Sequence, residues 1–96
     1  MARPFPSSSE ERRARIVARI RAIPPGFVRT YGDIDPAAPR LVGLVLATTE
    51  EHLPWHRVVR ADGSVAKGRR QLELLRREGV AVRGSRVDLA DARLPG

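Results

Sequence analysis

The chain has 96 residues, 42% of them hydrophobic and 30% charged, a size at which one hydrophobic core is just sufficient, so a single domain is expected. It contains no cysteine, which excludes a disulfide framework, a thiolate metal site and a thiol nucleophile. Its 18 basic side chains, all arginine except Lys67, outnumber 11 carboxylates and leave a net charge of +7, which favours a polyanionic partner such as nucleic acid.

Residues 1–7 read as a flexible lead without the apolar core of a signal peptide. No apolar run approaches membrane-spanning length, so no membrane partner is expected and the location is taken as cytoplasmic, associated with the nucleoid. His52 and His56, the two histidines, fit no zinc-ligand spacing, so neither a metal nor another cofactor is expected.

Ser8 stands three residues before Glu11, the spacing of a capping box, and predicts a helix start. Ile16, Val17, Ile20 and Ile23 then recur at helical steps while arginines take the other faces. Pro24-Pro25-Gly26 ends that helix. Thr30 is placed to cap a brief helical turn from Tyr31, which Asp35-Pro36 stops. Pro39 suits the first position of a further helix running to about Thr48, too apolar all round to be a solvated surface helix except at Arg40.

Val58-Val59 and Val65 flank Asp62-Gly63, a hairpin signal, so a small β-hairpin is expected over residues 58–65. Residues 69–78 return to helical spacing, with Leu72, Leu74 and Leu75 toward the core and Gly79 as the stop. Val80–Val82 and Val87–Leu89 suit short strands around Gly84-Ser85. The expected fold is mainly α with a small β-hairpin, a winged helix-turn-helix over residues 8–90, monomeric, followed by a flexible tail at 91–96.

The densest chemistry lies in Leu53-Pro54-Trp55-His56-Arg57-Val58-Val59, which holds the sole Trp beside a His and an Arg. On its own a Trp beside Pro is more often core than site. The segment resembles the active-site motif Pro-Cys-His-Arg-Val of the O6-alkylguanine-DNA alkyltransferases, with Trp in place of Cys, the substitution that characterises the alkyltransferase-like proteins. Gly26-Phe27-Val28-Arg29-Thr30-Tyr31-Gly32-Asp33-Ile34 resembles the family's Gly-x-Val-x-Thr-Tyr-Gly-x-Ile segment. Arg40-Leu41-Val42-Gly43 is similar to its Arg-x-Val-Gly recognition helix, and Leu74-Leu75-x-x-Glu78-Gly79 to its Leu-Leu-x-x-Glu-Gly helix end.

The resemblance implies the fold of the alkyltransferase C-terminal domain and a partner, double-stranded DNA containing O6-alkylguanine, with the lesion passed to nucleotide excision repair proteins. It implies that Tyr31 and Arg40 flip the nucleotide, Arg40 filling the vacated stack. It further implies a lesion pocket of Tyr31, Trp55, His56, Val58 and Glu78, with Pro54, Arg57 and Gly43 supporting the motif. Since indole is not a nucleophile, His56 and Glu78 have no thiol to activate, and no enzymatic activity is expected.

Three departures from the family pattern stand out. The link from Ile34 to Arg40 is short, Ala47-Thr48-Thr49 replaces an Asn-Pro, and the 66–70 loop is short and lacks a lid tyrosine. Two other readings remain open at this point. One is an ordinary winged helix-turn-helix transcription regulator; the other is an enzyme in which His56 and Glu78 activate water.

Overall fold

The structure is a computed structural model that describes residues 8–96. The expected flexible lead at 1–7 and the capping role of the Ser8 side chain lie outside the described residues. Helix α1 spans Ser8–Arg21. An isolated helix of that length is marginal in water. Its anchor is Ile16 and Ile20, joined by Ile23 just past the helix end, all essentially fully buried, each contributing about 1.5–3 kcal/mol. Gly26 reverses the chain at a positive φ of 90°, a conformation that carries no Cβ penalty only for glycine.

Strand β1 (Arg29–Thr30) leads directly into α2 (Tyr31–Ile34), and α3 covers Pro39–Thr48. A 3₁₀ turn at Trp55–Arg57 runs into β2 (Val58–Val59), followed by α4 (Gly68–Arg77), β3 (Val82–Arg83), β4 (Arg86–Val87) and α5 (Leu89–Ala92). Helices α1, α2 and α3 pack against one another, which is the expected mainly helical arrangement with a small sheet component.

The hairpin signal at Asp62-Gly63 produces a turn but no hairpin. Gly63 N–H donates to Arg60 O at 2.8 Å and Arg60 N–H to Ser64 O at 2.9 Å, so the chain does reverse. Val58-Val59, however, pairs in parallel with Arg29-Thr30, and the Val58 carbonyl is taken by the Gln71 amide at 2.8 Å. With those groups engaged, the return segment turns to another strand: Ser64 bridges Arg86, and Gly63 O accepts from Val87 N at 2.9 Å. A Cβ at Gly63 would lie 2.5 Å from Val87 O, so the approach requires glycine. The hairpin that forms is β3–β4, around Gly84-Ser85, with Val82 opposite Val87.

The parallel pair separates two core clusters. Val58 joins Ile16, Ile20, Ile23, Ile34, Val42, Val45 and Leu53, while Val59 joins Val28, Leu75, Val80, Val87 and Ala92. Adjacent strand residues point to opposite faces, so two valines serve two clusters.

The segment expected as a loose tail is built into the second cluster. Val28 N donates to Ala92 O at 2.9 Å and Leu94 N to Val28 O at 2.8 Å, and Ala92 is buried. Two further differences concern side chains on α3 and α4. Leu44, expected to pack, is 51% exposed, whereas Gln71, a polar residue, is buried among the α4 leucines.

Candidate nucleic-acid interface

The site is assembled around α2, whose four residues are too few to hold a helix unaided. Thr30 supplies the cap: its Oγ1 accepts from Asp33 N at 3.0 Å, and Asp33 Oδ2 accepts from Thr30 N at 3.0 Å. This reciprocal box fixes the first turn. Arg93 adds two bonds to the same carboxylate, at 2.9 and 2.5 Å. Its guanidinium is the main reason the Asp33 carboxyl sits at a pKa of about 2, with the Thr30 bonds adding to it. At the other end Arg12 pairs with Asp35 at 2.7 and 3.0 Å, and Arg19 donates to Ile34 O at 2.6 Å. Tyr31 is the first residue of this clamped turn.

Pro39 opens α3. Positions separated by three and four residues share a helix face, so Arg40, Gly43, Leu44 and Ala47 form the side opposite the buried Val42 and Val45. Arg40 is exposed, and its guanidinium has no partner among the described residues. At Gly43 a Cβ would meet the Tyr31 ring at 3.9 Å, an ordinary contact, so α3 and the tyrosine stand side by side.

After α3, Thr49 Oγ1 accepts from Glu51 N at 3.1 Å, bracing the turn where the family has asparagine. Thr48 instead bonds back to Leu44 O at 2.7 Å and receives Arg13 at 3.0 Å. Pro54 then precedes the 3₁₀ turn, closed by Arg57 N to Pro54 O at 3.0 Å.

Trp55, from that turn, faces a cavity of about 300 Å³ lined by Tyr31, Gly43, Leu46, Ala47, Trp55, Val58, Ala66, Lys67 and Gln71. This is at the lower end of small-molecule pockets, which run from about 300 to 1,000 Å³. Of the residues assigned to a lesion pocket from sequence, Tyr31, Trp55 and Val58 are on its wall.

His56 and Glu78 are brought together but do not line the cavity. His56 Nε2 lies 3.0 Å from Glu78 Oε2, and the His56 ring meets the Trp55 indole edge-on at a centroid distance of 5.9 Å. Arg57 explains the arrangement. Its Nε and Nη2 donate to the two Glu78 oxygens at 3.0 and 2.6 Å, and its Nη1 to Ile23 O at 2.8 Å. One guanidinium thus ties the segment after α1, the Trp55 turn and the end of α4. The Arg57 bonds, helped by His56, pull the Glu78 carboxyl from 4.5 to about 2 against the opposing effect of burial.

Sequence reasoning missed Gln71. Its amide donates to Val58 O at 2.8 Å and His56 O at 3.1 Å, and its Oε1 accepts from Lys67 N at 3.1 Å. A signal was present, since Gln71 lies four residues before Leu75 and so on the apolar face. Gln71→Leu leaves two carbonyls without their side-chain donor; a fall in stability of about 1–3 kcal/mol is expected in a denaturant titration.

Residues 11–80 match the family described as 6-O-methylguanine DNA methyltransferase, DNA binding domain. The chain belongs to that family. Among the relatives of this DNA-binding domain is a DNA base-flipping protein of Escherichia coli K12, 42% identical over 87 residues, covering 78% of this chain and 67% of the relative. Alkyltransferase-like protein 1 of Schizosaccharomyces pombe is 37% identical over 73 residues, covering 62% of this chain and 68% of that protein. The crystal structure of S. pombe Atl1 in complex with damaged DNA containing O6-carboxymethylguanine superposes with a TM-score of 0.79 at 28% identity, covering 91% of this chain and 97% of the other.

Proposed function

We propose that this chain recognises O6-alkylguanine in double-stranded DNA by rotating the modified nucleotide into the cavity between Tyr31 and Trp55, and that it leaves the alkyl group in place. The observation that carries this reading is the indole of Trp55 on the wall of a cavity of about 300 Å³, at the position where the resemblance puts an acceptor thiol. Extruding a base costs a few kcal/mol. Stacking on an aromatic ring returns about 1–3 kcal/mol, and Trp55 is placed to provide it.

Arg40 supports the same reading from outside the cavity. It stands one helical turn from Gly43 on the same face, exposed and unpaired among the described residues. A planar guanidinium suits the gap left in the stack better than an ammonium does. Chemistry on the lesion is disfavoured by the state of Glu78: held by Arg57 and His56, with a pKa of about 2, it is a weak base for activating water. The recognised lesion is then handed to nucleotide excision repair, the route suggested by the family resemblance.

Binding titrations with an O6-methylguanine duplex and its undamaged twin test the reading. Tighter binding to the lesion, with protein and DNA masses unchanged after incubation, is expected; equal affinities overturn it. A consensus emerging from selection on undamaged DNA would favour a transcription regulator instead. Arg40→Ala is expected to weaken lesion binding with little change in salt dependence, whereas a loss of about 0.9 in the logarithmic salt slope means that Arg40 contacts phosphate.

A further inference from the structure

Residues 81–96 lie beyond the family match, which ends at residue 80, yet they reach the helix that carries Tyr31. Backbone bonds on both sides of Arg93 hold it beside β1: Val28 N to Ala92 O at 2.9 Å and Leu94 N to Val28 O at 2.8 Å. Placed there, its guanidinium takes both oxygens of Asp33, at 2.9 Å from Nε and 2.5 Å from Nη2. Asp33 Oδ2 is also the acceptor for Thr30 N in the capping box that starts α2.

We propose that Arg93 is a positioning residue for base rotation: through Asp33 and the Thr30 capping box it holds the Tyr31 turn in the orientation that the lesion cavity needs. The inference rests on the proposed lesion-binding reading, and it assigns to the C-terminal segment a role in specificity.

An exposed ion pair by itself contributes little, but this one differs in three respects. The contact is bidentate, the geometry that gives an arginine–carboxylate pair its directionality. The carboxylate is mostly shielded, with 17% of its side chain exposed. The element it stabilises has four residues, too few to be helical unaided, so the cap and its bracing act beside the packing of Ile34 in holding the turn. The other end of α2 is braced in the same manner by Arg12 on Asp35 and by Arg19 on the Ile34 carbonyl. Three of the chain's arginines therefore bear on one short helix.

Arg93→Ala, Arg93→Lys and Asp33→Asn test the proposal, the last retaining a side-chain oxygen for the cap. Three quantities are measured: affinity for lesion and undamaged duplexes, fluorescence of a 2-aminopurine beside the lesion, and the ¹⁹F resonance of fluorotyrosine, for which Tyr31 is the single site.

Arg93→Ala is expected to reduce the lesion-to-undamaged affinity ratio about tenfold, to reduce the 2-aminopurine signal and to shift or broaden the Tyr31 line, with affinity for undamaged DNA unchanged. Arg93→Lys should recover part of the ratio, since it keeps the charge but not the fork. In an Asp33→Asn background, Arg93→Ala should add little.

Equal weakening on both duplexes, with the salt slope flattened by about 0.9, would make Arg93 a phosphate contact and overturn the proposal. So would an unchanged ratio and an unchanged Tyr31 line in a variant whose only defect is a lower melting temperature. Should the parent protein show no lesion preference, the base-rotation reading fails and the assignment of Arg93 to specificity fails with it; a moved Tyr31 line then shows that the clamp on α2 stands alone.

Discussion

Trp55→Ala is expected to weaken binding to an O6-methylguanine duplex by about five- to a hundred-and-fiftyfold, the equivalent of about 1–3 kcal/mol of lost base stacking, while affinity for the undamaged duplex changes little. The asymmetry follows from position. Trp55 stands on the cavity wall and carries no charge to meet a phosphate, so its contribution enters only once a base has left the stack. Trp55→Phe should retain most of the affinity, because it keeps a π-face. Fluorescence anisotropy on paired duplexes reads the ratio, and an equal loss on both would show that the indole contributes to the fold or to the backbone contact and not to the lesion.

Glu78→Leu is expected to lower the unfolding free energy by about 3 kcal/mol, a large part of the roughly 5–15 kcal/mol typical of a domain. The substitution strips Arg57 of its carboxylate and His56 of its partner, and their side chains are only 15% exposed. The Arg57 cation left in so shielded a place loses much of its hydration without compensation, and the His56 ring loses its hydrogen-bond partner. Acid should reproduce the effect in the parent protein. The folded pKa of Glu78 is depressed, from 4.5 to about 2, so its contribution is fully present above about 4.5 and is lost as pH falls toward 2. Asp33 and Asp35, both lowered to about 2 by Arg93 and Arg12 respectively, titrate in the same direction. Melting temperature should therefore drop across that window, with a shallower drop in Glu78→Gln. A pH-independent melting temperature between 4.5 and 2 would mean that these pairs add nothing to stability.

Much of the local structure was legible because it rests on local chemistry. The stripe of Ile16, Ile20 and Ile23, the Pro24-Pro25-Gly26 stop, the Thr30 cap and Pro39 at the start of α3 each act within one or two helical turns, and the structure shows them acting there. The error at residues 58–65 is of a different kind. Asp62-Gly63 specifies a reversal but not the strand to which the chain returns, and that was decided by Arg29-Thr30 and Gln71, which take up the Val58-Val59 backbone first. The exposure of Leu44 was hidden for a similar reason: an apolar side chain carries no mark of whether its helix face meets a neighbouring element.

The candidate site divides along the same line. Trp55 within Pro54-Trp55-His56-Arg57-Val58, together with the absence of any cysteine, suggested recognition without alkyl transfer through the motif's resemblance to the alkyltransferases, since the identity of a missing nucleophile is read from the chain alone. Tertiary structure decided which of the motif's neighbours share a surface. It set Tyr31, Gly43 and Val58 around the indole, turned His56 and Glu78 away from the cavity into a network with Arg57, and bound Arg93 to Asp33 across 60 residues of sequence. Hydrogen bonds and ion pairs of that kind depend on distances of a few ångströms between groups far apart in the chain, and only the packed core brings those groups to such distances.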